Sequence, residues 1–173
     1  MDLLEFEARD LYFQREDTQE VQDLIKRSSE LYSTGAAELP LLQAYLRAPE
    51  SLNVLVALNR FYYYQHRLSE ALMISEQALS LIRRDISLPA DWRELNIQHI
   101  KDAPKEQLTS IRLYLFTLKS IGFLNMRMEN LALSQSIFEK LVALDDKDRI
   151  GAKALLELVY QRLESAGQAV EYA

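Results

Sequence analysis

The chain has 173 residues, 49% of them hydrophobic and 27% charged, the composition of a folded, water-compatible domain with a sizeable core. Its formal net charge of -6 argues against a broadly basic nucleic-acid surface, and the absence of cysteine removes disulfides, thiolate nucleophiles and cysteine-based zinc sites. The start, MDLLEFEARD, is acidic, and no apolar run exceeds a few residues, so neither a secretory leader nor a membrane span is expected and a cytoplasmic address follows.

Apolar residues recur at three- and four-residue steps in nearly every window, with only four glycines, four prolines and no period-two alternation. The predicted fold class is all-α. Residues 1–17 form an N-terminal segment in which Leu4, Ala8 and Leu11 share one helical stripe, with Phe6 and Phe13 beside it. Helices are expected at roughly 18–33, 37–47, 52–65, 69–84, 91–99, 104–127, 131–144 and 149–165, before a short tail at 167–173. The last of these reads as a capping helix, with Ala152, Leu155, Leu156 and Val159 on one side. Gly35, Ala48-Pro49, Pro89, Pro104 and the Asp145 to Asp148 turn punctuate them.

The third helix ends in Arg60-Phe-Tyr-Tyr-Tyr-Gln-His-Arg67, four adjacent rings that cannot share one helix face. Leu55, Leu58, Asn59 and Tyr62, followed by Ala71, Ser75 and Ala78, resemble the tetratricopeptide (TPR) pattern, a repeat of about 34 residues. One repeat earlier stand Val21, Leu24, Ile25 and Ser28, then Ala37, Leu41, Ala44 and Pro49. A third copy matches at Leu118, Ile121, Gly122 and Asn125, then Ser134, Phe138 and Leu141. Small residues at Ala37, Ala44, Ala71, Ala78, Gly122 and Ser134 allow close helix approach, while larger ones interlock. The pattern's tryptophan slot is never filled, and its glycine slot is filled only by Gly122.

The resemblance implies a right-handed superhelix of antiparallel helix pairs in a single domain spanning about 18–166. Its repeats fall at about 18–51, 52–85 and 115–148, with an insertion near 86–114 between the second and third and the capping helix near 149–165. The insertion holds Trp92, and its last helix either runs unbroken from Pro104 or breaks near Ser110.

In this register Tyr62 is core, and the concave side carries Lys26, Asn53, Arg60, Tyr63, Tyr64, Phe116, Lys119, Phe123, Arg127 and Lys153. Such a set of rings and cations fits a protein or peptide partner of acidic character, as in an adaptor or chaperone-like protein. Size, low pI and three repeats resemble the bacterial type III secretion class II chaperones, which lack such an insertion. The family's carboxylate clamp is not matched, because Gln22 with Lys26, Ala57, and Phe116 with Ser120 occupy its positions. The other reading is a structural or assembly subunit, homodimeric or not, that binds through residues 1–17 and the insertion.

No enzyme, cofactor or metal site is expected. His66 and His99 have no ligand or nucleophile at useful spacing, and the phosphate-loop, dinucleotide and zinc-protease motifs are missing. Asp146, Asp148, Gly151 and Glu157 mimic a calcium loop, but Ile150 stands where an oxygen ligand is needed. The acids of that turn are expected to favour the following helix N-terminus instead.

Overall fold

The computed structural model describes residues 17–171, with side chains through Ser165. Among the described residues all regular structure is helical and there is no strand. The chain divides into two compact units, Met1–Leu81 and Ile82–Ala173.

In the first unit, α1 (Gln19–Glu30), a 3-10 turn at Tyr32–Thr34, α2 (Glu38–Arg47), α3 (Leu52–Tyr64) and α4 (Leu68–Arg84) follow one another. The polar contacts give their directions. Arg47 at the end of α2 pairs with Glu20 at the start of α1, so these two helices are antiparallel. Arg67, just before α4, reaches Glu38 at the start of α2, and the Tyr45 hydroxyl donates to Gln77 further along, so α2 and α4 run the same way. Between α3 and α4 the Asn59 amide donates to the Ala71 carbonyl and the Ser75 hydroxyl. The small residues Ala37, Ala44 and Ala71 are fully buried at these crossings, with Leu41, Leu55 and Leu58 packed around them.

Local signals start and stop these helices. The Ser51 hydroxyl accepts from the Val54 N–H and opens α3. His66, with φ 57°, closes the helix, and the Arg67 N–H donates back to the Tyr62 carbonyl.

The second unit holds a 3-10 turn at Trp92–Glu94, α5 (Ile97–Lys101), a 3-10 turn at Lys105–Gln107, α6 (Leu108–Arg127), α7 (Leu131–Leu144) and α8 (Lys153–Glu171). The helix expected at 91–99 is divided, because two caps compete for it. Asp91 accepts from the Arg93 N–H and holds a single turn, and Asn96 then opens α5 by accepting from the Gln98 and His99 N–H groups. The His99 ring closes that box by accepting from the Asn96 N–H. The helix expected from Pro104 begins four residues later, at Leu108, after the second 3-10 turn. Lys140 on α7 donates to the Leu95 carbonyl, tying the inserted stretch to its own unit.

At Gly122 the α7 side chains press against the α6 backbone. A Cβ there would lie 2.8 Å from the Phe138 ring and 2.9 Å from Ile137. The Ser134 hydroxyl donates to the Gly122 carbonyl at the same crossing. The α8 helix starts later than its expected onset near 149, because Asp148 and Gly151 both take left-handed backbone. The Asp148 carboxylate accepts from the Ala152 and Lys153 N–H groups, and Asp145 accepts from Ile150, so these acids cap a helix. Arg162 and Lys119 reach the carbonyls of Met126 and Ile150, which sets α8 alongside α6 in the same direction.

Candidate interaction site

On α3 the residues Asn53, Val56, Arg60 and Tyr64 follow each other at three- and four-residue steps and therefore share one face. On α1, Gln22, Lys26 and Ser29 do the same. Both faces line one cavity of about 700 Å³ in the first unit, with Tyr32, Leu41 and Phe61 as its apolar wall and Asp17 at one edge. Lys26, Asn53, Arg60 and Tyr64, all expected on a common surface, are thus brought together.

The electrostatics of this cavity are uneven. Arg47, Arg67, Arg93 and Arg162 each hold a carboxylate. Lys26 and Arg60 have no carboxylate or other hydrogen-bond partner among the described residues, although both border the cavity. At its edge the Asn53 amide donates to the Asp17 carboxylate at 2.7 Å, and the Gln22 amide donates to the Asp17 carbonyl. The side-chain amide oxygen of Asn53 is buried without a hydrogen-bond partner among the described residues.

The four rings divide by position. Phe61 and Tyr62 are both buried. Phe61 stands edge-on to Tyr32 at 6.2 Å and to Tyr62 at 5.5 Å. Tyr62 lies under the Arg67 guanidinium, 4.6 Å from its ring centre, and burial first, then Glu38, pushes its hydroxyl pKa up. Tyr63 is half-buried, edge-on to Tyr64 at 5.3 Å, and is not part of the cavity wall. Tyr64 is exposed and is part of it.

The remaining expected residues belong to the second unit. Lys119 is only 6% exposed, donates to the Ile150 carbonyl and sits 4.9 Å from the Phe116 ring centre, so it is an internal strut and not a surface cation. Phe116 and Phe123 are half-buried and Arg127 is exposed. Lys153 is exposed at the start of α8, where its ammonium donates to the Asp146 carbonyl at 3.4 Å. A second cavity, of about 640 Å³, lies between the start of α6 and the Asp145 turn, and none of these five residues lines it. Sequence periodicity also gave no warning that α2 leaves Leu39, Leu42 and Leu46 exposed at three- and four-residue steps.

These features define an all-helical protein with an aromatic, cation-bearing cavity, and no described helix is long and apolar enough to cross a membrane. Neither a family model nor a solved structure matches the chain. It is 38% identical over 159 residues to an "Uncharacterized 19.8 kDa protein in nifW 5'region" of Azotobacter chroococcum mcd 1, across 92% of this chain and 89% of that one. The chain belongs to the family of that protein.

Proposed function

We propose that the chain is a TPR-like, non-enzymatic interaction module, an adaptor or chaperone-like protein of the cytosol, whose α1 and α3 cavity takes a peptide segment of acidic character. The observation that carries this reading is the pair of cations, Lys26 and Arg60, which border an aromatic cavity and pair with no carboxylate among the described residues. A guanidinium and an ammonium beside rings combine charge selection with apolar contact area. The TPR likeness is supported by the burial of the small residues at helix crossings and by side-chain-to-carbonyl hydrogen bonds, opposite in sense, that link positions of the same spacing. Because the relative's name sets it in the 5′ region of nifW, the product of that gene is the first protein to test as a ligand.

The test is a titration of the nifW product, and of short synthetic peptides of graded negative charge, into the full chain at low salt. Lys26→Glu with Arg60→Glu should weaken the acidic ligands by at least about tenfold and leave the helical circular dichroism unchanged. Affinity that ignores both the reversal and peptide charge overturns the reading.

A further inference from the structure

Asp17, to which residues 1–16 are covalently joined, lines the cavity edge beside Asn53 and Gln22. Those residues carry five carboxylates, at Asp2, Glu5, Glu7, Asp10 and Glu16, against two guanidiniums, at Arg9 and Arg15. They also carry Leu4, Phe6, Leu11 and Phe13, the residue types that fill an aromatic-lined cavity. The net negative charge of this segment is complementary to Lys26 and Arg60, which pair with no carboxylate among the described residues, and attachment at Asp17 would supply it at an effective concentration of order millimolar.

We infer that residues 1–16 occupy the α1 and α3 cavity as a built-in acidic ligand, which any external segment must displace. The inference rests on the cavity being a peptide site, as proposed above. Charge complementarity and position select the segment of the same chain over a second copy, because a tethered ligand needs no association step. The consequence is regulation by competition. Only the fraction of molecules with an emptied cavity binds an external peptide, so its apparent affinity falls by that fraction.

The absence of cysteine makes a clean test available. Glu7→Cys in the full chain gives a single attachment point for a nitroxide, whose paramagnetic broadening is read on the amides of the isotopically enriched protein. Broadening around Lys26 and around Asn53 to Tyr64, abolished by Lys26→Glu with Arg60→Glu, is the expected result. Mixing labelled unenriched chains with unlabelled enriched ones should give no broadening there, and broadening that persists in that mixture assigns the cavity to a second copy and overturns the inference. A host variant with Asp2→Asn, Glu5→Gln, Glu7→Gln and Asp10→Asn is titrated in parallel with a synthetic peptide of residues 1–16, and should bind it at least about tenfold more tightly than the unaltered chain does. Binding of that peptide to the host without broadening in the labelled protein overturns self-occupancy and leaves the peptide site standing. Neither broadening nor binding overturns both.

Discussion

Asn59 donates to the carbonyl of Ala71 across 2.8 Å, and at Gly122 and Ser134, the equivalent positions 63 residues later, a 2.8 Å bond spans the same separation in the opposite sense. In one crossing the polar side chain sits on the first helix, and in the other on the second. Each leaves a small partner, Ala71 or Gly122, and that is what permits the approach. Asn59→Ala should cost about 1–3 kcal/mol, because two buried bonds disappear and Ser75 loses its partner, and Ser134→Ala about 1 kcal/mol. Urea unfolding measures both, and a neutral Asn59→Ala would mean that the crossing does not depend on the pair.

Gly122→Ala sets two effects against each other. Alanine gains about 1 kcal/mol of helix propensity, but its methyl must displace Phe138 and Ile137, at a cost of about 1–3 kcal/mol. Phe138 is fully buried and cannot swing away, so the steric cost wins and the melting temperature should fall. A rise would show that α7 shifts freely.

Tyr62→Ala should destabilise by about 3–5 kcal/mol, the cost of truncating a buried ring. Tyr63→Ala, at a half-buried position, should cost about 1–2 kcal/mol. Chemical denaturation of the two variants side by side checks the order, and a reversal would exchange the faces assigned to α3.

The helices were legible because their causes are local: periodicity, caps and the small residues at crossings all lie within a few positions of the effect. Tyr62 is buried, as expected from its four-residue spacing from Leu58 on α3. Phe61 could not be placed in that way, since its burial depends on Tyr32, which belongs to a 3-10 turn that the expected helix at 18–33 concealed. Lys119, expected on the concave side, is buried for the same kind of reason. Its partner, the Ile150 carbonyl, is 31 residues away in a turn whose geometry depends on Asp145 and Asp148. On α1 and α3 the candidate site was readable as two helix faces, but that Tyr64 and not Tyr63 lines the cavity is a matter of packing.

The two lysine and arginine environments make a separate prediction. Lys119→Ala should destabilise by about 1–3 kcal/mol, since the Ile150 carbonyl is left buried without its donor. Arg127→Ala, at an exposed position, should stay within about 0.5 kcal/mol of the unaltered chain. Equal effects in thermal unfolding would contradict the burial of Lys119.

Acid should weaken the Arg67 junction in a traceable way. The Arg67 guanidinium holds the Glu70 carboxyl below its ordinary value of 4.5. A carboxyl whose folded pKa is depressed contributes stability that is present above its unfolded value and is lost as pH falls through the folded one. Stability should therefore decline on acidification below about 4.5, and Glu70→Gln should flatten that part of the curve while lowering stability at neutral pH. Denaturation followed across pH 2 to 7 reads the difference between the two slopes, and identical slopes would remove Glu70 from the account.

His66 and Glu129, 63 residues apart, both end a first helix with left-handed backbone, at φ 57° and 62°. The bond that follows is also shared: the Arg67 N–H donates to the Tyr62 carbonyl and the Asn130 N–H to the Asn125 carbonyl, each at 2.9 Å. This is the helix stop normally given to glycine, because a Cβ crowds the neighbouring carbonyl there at a cost of about 1–2 kcal/mol. Neither side chain makes up that cost through burial, since both are exposed. His66→Gly and Glu129→Gly should therefore each stabilise the protein by about 1 kcal/mol, less the entropy that glycine adds to the unfolded chain. Glu129 also accepts from Arg162 on α8, a surface pair worth at most about 1 kcal/mol, so its gain should be the smaller. Urea midpoints for the two glycine variants, with His66→Ala and Glu129→Ala as controls that keep the Cβ, separate backbone strain from side-chain loss. Glycine variants no more stable than their alanine counterparts would show that the left-handed backbone carries no such cost.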